Sequence, residues 1–172
     1  TEIHYTDKFC PGCKSYIKNG VTKKRLRKEL HIKNLLEENK IEFIHDSIVQ
    51  RGCSRRRPDF LINTWFGQII LEIDEHQHNR KNYSCECELS RMKQIFMDCG
   101  VKHLLFIRYN PDSYKTHQTE YNRNKREKYL LKYLKEVISM KDKPEYNLGS
   151  VYLFYDGFIP LSPDIETFDP YN

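Results

Sequence analysis

The chain has 172 residues, with 29 Lys and Arg against 24 Asp and Glu for a net charge of +5, and 31% charged and 13% aromatic residues. That length suits one domain with a small appendage; the aromatic content argues against intrinsic disorder, and no run reaches the roughly 18–20 apolar residues of a membrane span. With no secretory apolar region, the expectation is a soluble, intracellular protein without a membrane partner.

The basic residues cluster at 23–28, 55–57 and 123–128. Clusters of this kind favour a polyanion partner, DNA and RNA both belonging to that class. The first and third read equally well as solvated helix faces, whereas Arg55, Arg56 and Arg57 abut Asp59.

Residues 1–20 carry no hydrophobic period but hold Cys10-Pro11-Gly12-Cys13 and end on the turn signal Asn19-Gly20. Such a segment folds on a metal staple, which sets a boundary between residues 1–20 and a domain over 21–172. From Thr22 the pattern turns helical, with Leu26, Leu30, Ile32, Leu35 and Leu36 near one side. Glu29 in that helix reads most simply as a solvent ion pair with Arg25 or Lys33.

Glu42–Val49 predicts a strand, Asp59–Ile62 a short second one after Pro58, and Gln68–Asp74 a central one, apolar on both faces. Ser84 caps a helix with the stripe Cys85, Leu89, Met92, Phe96 and Cys99, stopped by Gly100. Val101–Tyr109 is a strand, 125–140 an amphipathic helix and Gly149–Tyr155 a last strand, after which the end wraps or frays. The fold class is α/β: a mixed sheet with a hairpin-like start, flanked by helices.

Strand alternation puts Ile70, Glu72 and Asp74 on one face. Asp59 and Glu72, on strands joined by a short turn, can be cross-strand neighbours. Two such carboxylates repel unless a cation sits between them, and Mg²⁺ (or Mn²⁺) favours sites completed by water and substrate phosphate. Asp59 and Glu72 are therefore the expected metal ligands, with Asp74 holding a second ion or orienting a water. His76 and His78 follow in a polar loop, where either could serve as base or support the leaving group; an exposed loop or a transition-metal site is the plainer reading. Glu88 and Arg91, three apart on a helix, can act together on a phosphate or on Glu72 and Asp74, or form a surface pair of little worth. Six Cys, two close pairs and Cys53 among them, point to structural zinc.

Pro58-Asp59 followed by Glu72-x-Asp74 resembles the PD-(D/E)xK nuclease superfamily, with Asp74 where Lys usually stands. More closely, the run DF, IILEIDEHQH, ELSR and LLFIRYNPD is similar to the branch holding very-short-patch-repair endonucleases and EDxHD homing endonucleases. GCSRRRPD, CSCE and FIRYNPD also look like uncharacterised proteins of large DNA viruses. The resemblance spans about residues 20–115 and is most specific over 52–91.

It implies a restriction-endonuclease-like fold and a metal-dependent DNA endonuclease of homing or repair type, with roles for Asp59, Glu72, Asp74, His78, Glu88, Arg91 and Arg108. Arg108 joins Arg55–Arg57 as a phosphate contact, and His78 rather than His76 holds the family position. Glu29 matches a helix acid that lies near the metal in these nucleases. The family also implies a structural zinc, for which Cys10, Cys13, Cys85 and Cys87 are the expected ligands and Cys53 the substitute; Cys99 is read as buried. A homodimer would explain a double-strand cut. The chain departs from the family pattern at Glu75, where Gly is frequent, and at Asp74, which leaves the general base open. The alternative is a catalytically inactive nucleic-acid-binding zinc module.

Overall fold

The computed structural model describes residues 23–45, 58–75, 85–114, 122–157 and 163–171, without the side chains of 23–27 and Cys85. Cys10, Cys13, Cys53, Arg55–Arg57, His76, His78 and the Ser84 cap lie outside the described residues.

Nine elements follow in order among these: α1 (Lys23–Glu38), β1 (Ile44–His45), β2 (Phe60–Asn63), β3 (Gln68–Ile73), α2 (Cys85–Cys99), β4 (Leu104–Tyr109), α3 (Arg123–Ile138), β5 (Leu148–Leu153) and β6 (Glu166–Phe168). The strands make one sheet in sequence order. β1, β2 and β3 are antiparallel, β3, β4 and β5 parallel, and β6 returns antiparallel on β5. The architecture is thus the expected mixed α/β one. β6 was not foreseen: its three residues pair along an edge, and a segment that short carries no readable alternation.

The parallel centre is buried on both faces, as its unbroken apolar strands require. Ile69, Leu71 and Ile73 of β3, Leu105, Ile107 and Tyr109 of β4 and Val151 and Leu153 of β5 meet Ile32 and Leu36 of α1 and Leu130, Leu134 and Val137 of α3. Ile70, Leu104, Phe106 and Leu148 face the other way, onto Met92, Ile95 and Phe96 of α2. Leu30, expected on the buried stripe of α1, is 44% exposed. At 100° per residue it stands roughly 200° around the helix from Ile32.

Local chemistry fixes the ends. α1 closes when the N–H of Ile41 reaches Leu36 O at 3.0 Å and that of Lys40 reaches Glu37 O at 3.0 Å. Lys40, at φ 56°, takes the left-handed position that glycine usually fills in this motif. α2 stops at Gly100, φ 62°, as the sequence predicts, and Asn122 Oδ1 caps α3 by accepting from Lys125 N at 3.0 Å. Gly67 is dictated by space, since a Cβ there would lie 2.0 Å from His103 O. No described helix is long and apolar enough to cross a membrane.

Candidate functional site

The α2 face of the sheet is apolar for the residues Ile70 and Phe106 and turns ionic one step further along. The register pairs Phe60 with Leu71 and Glu72 with Arg108; continued by one step, it sets Asp59 opposite Glu72. The ordering force on Asp59 is local: its Oδ2 accepts from Ile73 N at 2.7 Å. Burial and the charge of Glu72 push the Asp59 carboxyl well above its ordinary range, with further pushes from Glu29 and Asp74, and the Ile73 hydrogen bond only partly offsets them. The expected pair of converging carboxylates is therefore present at one end of β2 and β3.

Glu88 and Arg91 do not pair with each other. Each reaches from α2 to the sheet: Arg91 Nη2 donates to Glu72 Oε1 at 2.8 Å, and Glu88 Oε1 takes Arg108 Nη1. Glu72 holds the Arg91 guanidinium in its charged form even against the cost of burial.

Arg108 was expected to contact phosphate, but it is 5% exposed and turned inward. Its Nε donates to Asp74 Oδ2 at 2.5 Å, and its guanidinium lies over the Tyr152 ring, 5.9 Å from the centroid. Burial alone would favour loss of its proton; the Asp74 carboxylate outweighs that and raises its pKa. Inside the sheet, this strand-end arginine finds two carboxylates nearer than any solvent-borne phosphate.

Asp74, 1% exposed, is likewise committed. Tyr155 Oη donates to the same Oδ2 at 2.5 Å, and the Asp74 N–H donates to Tyr109 O at 2.8 Å. Asp74 thus anchors a buried ion pair, which is how it differs in use from Asp59 and Glu72. With Asp59 ionised, as a ligand to a cation must be, Asp59, Glu72, Asp74 and Glu88 against Arg91 and Arg108 leave two negative charges uncompensated within this set. A divalent cation matches that excess. Among the described residues no three His, Cys, Asp or Glu side chains form a ready-made metal cluster; two carboxylates with water and phosphate completing the shell is the arrangement Mg²⁺ tolerates. Asp59 and Glu72 fit that donor set.

Two residues of this region gave no sequence signal. Tyr155 arrives because Phe154, at φ 63°, bends the chain at the end of β5, and Asn110 Nδ2 secures that bend on Phe154 O at 2.9 Å. His45 on β1 meets Glu29 of α1, Nε2 to Oε1 2.6 Å; Glu29 pairs there and not with Lys33, whose partner is Glu37 at 3.7 Å. Lys28 of α1 bridges the segments that follow β3 and β4, pairing with Asp112 and standing 3.6 Å from Glu75.

Of the expected zinc ligands, Cys87 alone has a described side chain, exposed on the first turn of α2. Cys85 opens the same helix. Cys99 is partly buried, as expected, and burial pushes its thiol up to about 11.

Compared with protein-family models, curated proteins and solved structures, the chain matches none.

Proposed function

We propose that the chain is a divalent-metal-dependent DNA endonuclease of restriction-endonuclease-like fold, in the very-short-patch-repair and EDxHD homing branch. The observation that carries the reading is the Asp59–Glu72 pair: two carboxylates facing across adjacent strands, the charged form of one disfavoured by burial and by the other. Such a pair costs stability unless it serves a cation.

Mg²⁺ or Mn²⁺, when bound, supplies Lewis-acid activation of water and neutralises charge on the phosphodiester. Asp59, fixed by Ile73 N, and Glu72, fixed by Arg91, would hold it. Arg91, partly exposed beside Glu72, is placed to share its remaining N–H groups with a phosphate. Arg108, Asp74, Tyr155 and Glu88 keep β3, β4, β5 and α2 locked around that end, and their role is positioning. Arg55–Arg57 would grip the DNA backbone and His78 would stand near the leaving group. A zinc-stapled residue 1–20 segment and a homodimer complete the reading.

The test is cleavage of plasmid and oligonucleotide DNA with Mg²⁺ or Mn²⁺ by the wild type, Asp59→Ala and Glu72→Gln. Cutting by the wild type with a loss of at least about a hundredfold in both variants is expected. Equal cutting by all three, or none with any divalent ion, sinks the reading. The inactive nucleic-acid-binding module is favoured by one observation, the prior engagement of Glu72 by Arg91, and it predicts salt-sensitive DNA binding without turnover.

A further inference from the structure

β1 is an edge strand among the described residues, and its residue His45 stands directly across from Phe60 on β2. Cross-strand neighbours at this spacing touch, and the imidazole stacks on the Phe60 ring with 5.0 Å between centroids and 28° between planes. Phe60 is fully buried and gripped edge-on by Phe43, 5.4 Å away. The stack therefore fixes the plane of the imidazole on an immobile base, and its Nε2 meets Glu29 Oε1 at 2.6 Å. The side chains of His45 and Glu29 are 23% and 22% exposed, so the pair is sheltered yet open to water.

The location gives this pair a use. Asp59 immediately precedes Phe60, and Glu29 is near enough that its charge adds to those acting on Asp59. Lys28, the neighbour of Glu29, is turned to Asp112 and Glu75, so it leaves Glu29 to His45. An unheld glutamate on a helix turn samples several rotamers; one oxygen pinned by a rigid imidazole leaves the second oxygen in a defined place, and carboxylates that steer reacting water depend on such outer support.

We propose that His45 is a positioning residue for Glu29, pinning Oε1 so that Oε2 accepts from the water that attacks the phosphodiester beside Asp59. The inference rests on the nuclease reading of Asp59 and Glu72 above. It separates Glu29 from an ordinary surface ion pair, which would affect stability a little and turnover not at all.

The test uses His45→Phe, which keeps a stacked ring and removes the donor, His45→Gln, which returns a donor, Glu29→Gln, and the His45→Phe/Glu29→Gln double variant, each checked for folding by thermal melting. Single-turnover cleavage at saturating Mn²⁺ should fall about 10–100-fold in His45→Phe, with DNA affinity unchanged. His45→Gln should recover most of that loss, and the double variant should be no slower than Glu29→Gln. A second readout needs no turnover: in protein with ¹⁵N-labelled histidine, substoichiometric Mn²⁺ should broaden the His45 ring signals, and Asp59→Ala should abolish that broadening. Wild-type cleavage with His45→Phe unaffected, equal losses in His45→Phe and His45→Gln, or Mn²⁺ that spares the His45 signals would overturn the inference and leave the nuclease reading standing. Absence of wild-type cleavage would overturn both.

Discussion

Tyr155 donates its hydroxyl proton to Asp74 Oδ2 at 2.5 Å across 81 positions of the chain. The same oxygen takes Arg108 Nε. One carboxylate oxygen thus ties the end of β5 to the junction of β3 and β4. Burial and the Asp74 charge together raise the Tyr155 phenol well above its ordinary range, so it keeps its proton and donates at neutral pH. Tyr155→Phe should cost about 1.5–3 kcal/mol, the usual loss for a buried hydrogen bond to a charged acceptor, read as a lower urea midpoint at unchanged slope.

Arg108→Leu leaves Asp74 and Glu88 without their shared cation, and removal of one partner of a buried pair costs about 3–5 kcal/mol. Adding Asp74→Leu should restore part of that loss, because the double variant buries fewer uncompensated charges. Urea unfolding of both single variants and the double gives the coupling; strict additivity would show that the two groups do not interact.

Asp59→Asn should make the metal-free protein more stable at neutral pH. An acid whose folded pKa lies above its unfolded value, 3.8 for Asp, holds its proton more tightly when folded. Its stabilising contribution is complete below the unfolded value and is lost as pH rises through the folded one. In EDTA, the melting temperature of Asp59→Asn should exceed the wild type's at pH 7, with the gap closing towards pH 3–4. Added Mn²⁺ should raise the wild-type melting temperature by mass action and leave the variant unmoved.

Lys40→Gly relieves a left-handed lysine in the Schellman turn that ends α1. The gain should be about 0.5–1 kcal/mol, or roughly 1–4 °C in melting temperature for a chain of this size. Lys40→Ala keeps the strain and should give no such rise.

Cys99, with its thiol pushed up to about 11, carries roughly one part in a thousand thiolate at pH 8. Peptide-resolved alkylation with iodoacetamide should label it slowly at pH 8, with a rate that climbs nearly tenfold per pH unit up to about 11. Fast labelling at pH 8 would contradict the burial of the thiol.

The sequence alone determined the elements and most faces, because those follow from short-range periodicity. The Ile and Leu of 68–74 marked a strand covered on both sides, Asn122, just before the helix predicted from 125, proved to be its cap, and Gly100 marked a helix stop. The approach of Asp59 to Glu72 was also legible, since a short turn between two strands leaves few registers. The tertiary structure decided the partners. Glu88 and Arg91 looked like a pair at helical spacing, yet each found a stronger opposite charge on the sheet, where exclusion of water strengthens attraction. Arg108 carried the signature of a phosphate contact and was drawn inward by Asp74. Tyr155 and His45 meet Asp74 and Glu29 only after the chain has closed across 81 and 16 positions, and no local pattern encodes contacts made by folding itself. Spacing sets which way a side chain points on its own element, and packing alone sets what it meets there.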